Sequence, residues 1–87
     1  MFKQEIINLL SKETKLRKKE LERVIEIPPN SEIGDYAFPC FILSKKFKKS
    51  PNKVAEKLAK EIKPTNPIEK IKAAGPYLNF FINKKEL

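Results

Sequence analysis

The sequence contains no histidine and a single cysteine, Cys40. Lack of histidine removes the usual general base and the commonest metal ligand. One cysteine allows neither an internal disulfide nor a cysteine zinc site, and its place in an apolar run makes it a core residue rather than a reactive thiol. Ser11, Ser31, Ser44 and Ser50 have no histidine partner for nucleophilic catalysis, and the acidic residues lie scattered among lysines. Nothing points to a lysine nucleophile. Glycine occurs only at 34 and 75, so neither GxGxxG nor GxxxxGKS/T is present and no phosphate-binding loop is expected. No stretch approaches the roughly 20 apolar residues of a membrane span, and MFKQEIINLL has no signal-like cleavage site. A cytoplasmic, non-enzymatic chain without cofactor, metal or membrane partner is the expectation.

The 87 residues are enough for one domain, read as 1–87. An apolar fraction of 40% and a charged fraction of 34% fit a folded domain rather than a disordered tail. Nineteen Lys and Arg against 11 Asp and Glu leave a net charge of +8. That excess predicts a polyanionic partner, nucleic acid before an anionic membrane surface. Arg17 and Arg23 are the only arginines, so the lysine bias of a whole proteome is the alternative source of the charge.

Phe2, Ile6, Leu9, Leu10 and Leu16 recur at helical spacing and predict an amphipathic helix over Phe2 to Lys19. Val24 to Ile27 reads as a strand stopped by Pro28-Pro29-Asn30, with Gly34-Asp35 as a second turn and Tyr36 to Phe38 as a brief extended piece. From Pro39 the pattern is helical, with Phe38, Phe41, Ile42 and Lys45 on one stripe, widened by Leu43 and Phe47. Ser50-Pro51 starts a further helix carrying Val54, Ala55, Leu58, Ala59 and Ile62, ended by Pro64 and Pro67. Two strands follow, Ile68 to Ala74 and Tyr77 onward, around a Gly75-Pro76 turn. Leu78, Phe80 and Ile82 face helices. Tyr77, Asn79, Phe81 and Asn83 face the other way. The sum is an α+β fold: a small, mostly antiparallel sheet of three to four strands with helices packed on one face and the other face open.

Period two sets Tyr77 beside Asn79. An exposed aromatic stacks on a splayed base and a neighbouring amide pairs with a base edge, although a strand at a domain rim would show the same pair. The segment Pro28 to Pro39 reads as a capped turn launching the next helix. Lys45, Lys46, Lys48, Lys49 and Lys53 are the densest basic cluster, either a phosphate-binding surface or a solvated helix end. Tyr36 offers aromatic surface, whereas core packing suits Phe38.

Glu26-Ile27-Pro28-Pro29, Gly34 to Cys40, Ser50-Pro51 and Ala74 to Phe80 occur in an order that resembles the N-terminal additional domain of arginyl-tRNA synthetases, especially archaeal ones. The resemblance runs from about Ile25 to Ile82. It implies a helix-backed sheet that grips the outer corner of tRNA, where the D-loop meets the T-loop. It also implies that Tyr77 and Asn79 contact a D-loop base of the arginine tRNA, with Gly75 and Pro76 shaping their strand. Together with Phe81, Tyr36, Lys45, Lys48 and Lys49 they form the expected RNA-binding set. The catalytic part is not implied: there is no histidine for an HIGH-type motif, and Lys48-Lys49-Ser50 is too short to be a KMSKS loop. The alternative is a protein-interaction module docking on a separate synthetase body through Phe81 and the sheet edges.

Overall fold

The computed structural model describes residues 2–83 and 85. In chain order it contains α1 (Phe2–Thr14), α2 (Lys18–Val24), β1 (Tyr36–Pro39), α3 (Phe41–Phe47), α4 (Pro51–Glu61), β2 (Ile68–Ala74) and β3 (Tyr77–Ile82). The three strands form one antiparallel sheet in the order β1-β3-β2, so the fold is α+β, as expected.

The single first helix of the sequence reading is two. Polar side chains end α1 by taking over its backbone groups. The Thr14 hydroxyl donates to Leu10 O at 2.7 Å and accepts from Leu16 N, and Ser11 Oγ donates to Leu16 O. Lys15 turns left-handed at φ 65°, and Lys46 Nζ donates to Thr14 O at 2.7 Å, capping the last turn from another element. The expected strand at Val24 to Ile27 is also corrected. Lys18 to Val24 is rich in strong helix formers, and they carry Val24 into α2. Only Glu26 pairs, through reciprocal 2.8 Å bonds with Ala37. Pro28 and Pro29 lack the N–H groups to extend that pairing.

Phe41 and Ile42 were expected on the core stripe and are exposed instead. Phe38 belongs to β1, so α3 starts at Phe41 and its phase is set by Leu43 and Phe47, which lie against the core. Ser50 accepts a hydrogen bond from Lys53 N at 3.3 Å, and Pro51 opens α4, as its sequence position predicts.

The core is the sheet face carrying Phe38, Leu78, Phe80 and Ile82, covered by Ile6, Ile7 and Leu10 of α1, Leu21 of α2, Leu43 of α3 and Val54, Ala55 and Leu58 of α4. Cys40 is fully buried there, and burial pushes its thiol up to about 12, so it stays protonated and non-nucleophilic at neutral pH. β2 and β3 are joined through Gly75, left-handed at φ 58°, and Pro76, whose carbonyl accepts from Cys40 N.

Candidate nucleic-acid interface

The reverse face of the sheet is not open. The chain between α2 and β1 folds over it, and Glu26, Pro28, Pro29 and Ile33 meet Ala37, Ala74, Tyr77 and Asn79 around a recess of about 300 Å³. A volume at the bottom of the range for ligand pockets suits a single ring system.

Asp35 pins this cover. Its N–H donates to Phe80 O at 2.8 Å and its Oδ2 accepts from Ile82 N at 2.8 Å, so the loop continues the pairing of β3. Asn30 Oδ1 accepts from Glu32 N and Ile33 N donates to Asn30 O, which tightens the turn. Gly34 then passes directly over Asn79. Its φ is +153°, and a Cβ built there would stand 3.1 Å from the Asn79 Cβ. Gly34→Ala combines a backbone conformation nearly exclusive to glycine with a contact that must give, and its expected cost is about 1–3 kcal/mol. Urea unfolding checks it; an unchanged midpoint would mean that the loop does not rest on Asn79.

Asn79 was expected to project into water beside Tyr77. It is only 3% exposed, and its Oδ1 is sealed from solvent with no hydrogen-bond partner among the described residues. A buried acceptor left unmade is costly, and native structures keep few of them. Tyr77 is half-buried at the rim of the recess, and its ring meets that of Phe41 edge-on, with centroids 6.3 Å apart and planes at 85°. The two side chains do share one site, but as rim and floor rather than as neighbours on an open sheet.

The remaining expected residues are dispersed. Tyr36 alternates with Ala37, so it lies on the helix side and packs against the core. Phe81 sits outside the recess under the Lys70 ammonium, 5.0 Å from its ring centroid. Gly75 shapes the hairpin turn with open space around it. Lys45, Lys48 and Lys49 are exposed toward the far end of α3, and none makes an ion pair with a described residue. Lys46, in the same cluster, is occupied as the cap of α1. Sequence reading missed the cover residues Ile33 and Pro29 as parts of the site, and Phe41 as a neighbour of Tyr77. The paired prolines were a visible signal for a rigid cover, but the sheet face it would meet was not.

Among the described residues no helix is long and apolar enough to cross a membrane, and no group of three His, Cys, Asp or Glu side chains is placed to hold a metal ion. Residues 1–82 match the family described as the arginyl tRNA synthetase N terminal domain. The arginine–tRNA ligase of Clostridioides difficile (strain 630) is 49% identical over 87 residues, covering 99% of this chain and 15% of the ligase. That of Alkaliphilus metalliredigens (strain QYMF) is 48% identical over 84 residues, with 95% of this chain and 15% of the ligase covered. The solved arginyl-tRNA synthetase of Thermus thermophilus superposes with a TM-score of 0.78 at 24% identity, over 99% of this chain and 15% of that one, and so shares the fold. The chain thus spans about 15% of the length of these relatives. A helix-backed three-stranded sheet, residues 1–82 matched end to end and close to half of all positions shared with arginine–tRNA ligases together place this chain in the arginyl-tRNA synthetase N-terminal domain family.

Proposed function

We propose that this chain is a tRNA-binding module that contacts the D-loop at the outer corner of tRNA, with Tyr77 and Asn79 reading one unpaired base. The observation that carries the reading is the orphaned Oδ1 of Asn79, a residue that lines a base-sized recess together with the aromatic ring of Tyr77. A base stacked on Tyr77 presents its edge inward, and a ring amino group is the donor that Oδ1 lacks. Because Oδ1 is sealed, the base reaches it only when the Pro28 to Ile33 cover lifts, and the new hydrogen bond then offsets part of the cost of opening. The net charge of +8, and Lys45, Lys48 and Lys49, which make no ion pair with a described residue, supply attraction to phosphates independent of sequence. The resemblance of the Tyr77–Asn79 pair to the family's aromatic–Asn pair supports the D-loop as the target.

The test compares an arginine tRNA transcript with the same transcript made abasic at the D-loop nucleotide. Tyr77→Ala is expected to weaken binding of the intact transcript about tenfold, in line with roughly 1–3 kcal/mol per stacked base, and to leave the abasic one unchanged. Lys48→Gln should weaken both alike and lower the salt slope by about 1. An intact-transcript affinity indifferent to Tyr77→Ala overturns the reading.

A second reading rests on Ile27 and Ile33, which hold apolar side chains in solvent on the cover loop. In it, that edge packs against the catalytic body of a synthetase. Ile27→Asp would then abolish association with such a body while tRNA affinity stays the same.

A further inference from the structure

Phe41 opens α3 with 55% of its surface exposed, beside Ile42, which is also exposed. Its ring stands nearly perpendicular to Tyr77, at 85°, so the two rings form a corner whose faces point in different directions. One base cannot stack on both. Two adjacent bases splayed by a sharp bend in a chain can, one on each ring. Lys45 lies one helical turn beyond Phe41 on the same face of α3, and Lys48 follows at the helix end. Both ammonium groups are exposed and free of ion pairs with described residues. Aromatic surface leading directly into exposed cations is the arrangement that holds single-stranded nucleic acid. The centre of a protein–protein contact is instead depleted in charge, and lysine is disfavoured there.

We infer that Phe41 is a second base-stacking platform, taking the nucleotide next to the one held by Tyr77 and Asn79, with Lys45 receiving the phosphate that follows. This rests on the tRNA reading above and extends it from one base to two. It gives the exposed Phe41 of α3 a role.

The 87-residue chain is titrated with arginine tRNA transcripts carrying 2-aminopurine on either side of the D-loop nucleotide. Stacking on Phe41 quenches one of the two probes. Wild type and Phe41→Trp are expected to quench it, and Phe41→Leu is expected to bind about tenfold more weakly without quenching. Melting temperatures matching wild type show that the variants fold, as an exposed position predicts. If Phe41→Leu binds and quenches like wild type while Tyr77→Ala weakens binding, the inference fails and the tRNA reading stands. Weaker binding with quenching intact means that Phe41 merely props Tyr77, which also overturns it. If neither substitution changes affinity, the tRNA reading falls and takes this inference with it.

Discussion

Asn79→Leu is expected to make the chain more stable and worse at holding tRNA. Leucine has the branched shape of asparagine with bulkier methyl ends, which the neighbouring recess can take up, and it keeps the Cβ on which Gly34 rests. The recess is lined by Pro28, Pro29, Ile33, Ala37 and Ala74 beside Glu26 and Tyr77, a mostly apolar set that accepts a branched apolar side chain better than an unpaired carbonyl. Removing a buried acceptor without a partner recovers about 1–3 kcal/mol of desolvation. For a domain of this size each kcal/mol raises the melting temperature by about 4–8 °C. Calorimetry or a thermal circular dichroism scan reads the gain. The same substitution takes away the Asn79 acceptor proposed to meet a base edge, so affinity for the intact arginine tRNA transcript should fall about tenfold, the value of one hydrogen bond left unmade. Asn79→Asp separates polarity from charge: a carboxylate under the cover should lower both stability and RNA affinity. A leucine variant that melts lower than wild type would show that Asn79 is satisfied in solution, and the orphaned acceptor would lose its significance. A leucine variant that melts higher but binds tRNA equally well would leave the orphan real and the base-reading role wrong.

The gain and the loss come from one fact. The site keeps a polar atom where folding alone would place an apolar one, and proteins hold such arrangements at functional positions.

Period-two alternation in β3 was enough to separate Leu78, Phe80 and Ile82 from Tyr77, Asn79 and Phe81, because a strand reports its two faces directly. Ser50-Pro51 marked the start of α4 for an equally local reason. What alternation cannot report is what lies above a face. The cover over Asn79 is held by Asp35 bonding to Ile82 N, 47 residues away in sequence, and nothing near either residue signals that pairing. The break after Thr14 was obscured for a related reason. Its local devices, Ser11 and Thr14, are visible, but the capping Lys46 arrives from 32 residues further on. The same lysine shows how composition misleads about function: Lys45 and Lys48 make no ion pair with a described residue, whereas Lys46 between them caps α1.

Phe80→Ala is expected to be among the most destabilising core truncations, and to abolish tRNA binding by unfolding rather than by altering the site. Phe80 lies in β3, the central strand, fully buried between Tyr36 of β1 and Ile71 of β2 in the sheet register. Its side chain is among the largest in the core, and its carbonyl accepts the Asp35 N–H that anchors the cover loop. Truncating a buried phenylalanine to alanine costs about 3–5 kcal/mol, because the cavity left behind collapses only in part. At roughly 0.05–0.15 kcal/mol per residue, a chain this short has about 4–13 kcal/mol in total, so the loss removes from a quarter to all of it. Urea unfolding should show the midpoint falling sharply at unchanged slope, or no folded baseline at all. Phe80→Leu refills most of the volume and should cost under about 1.5 kcal/mol, retaining tRNA affinity once the protein is folded. A shift of less than about 1 kcal/mol in the alanine variant would mean that the helices close over the gap. The sheet would then not be the rigid floor beneath Asn79 and Tyr77 that base reading requires.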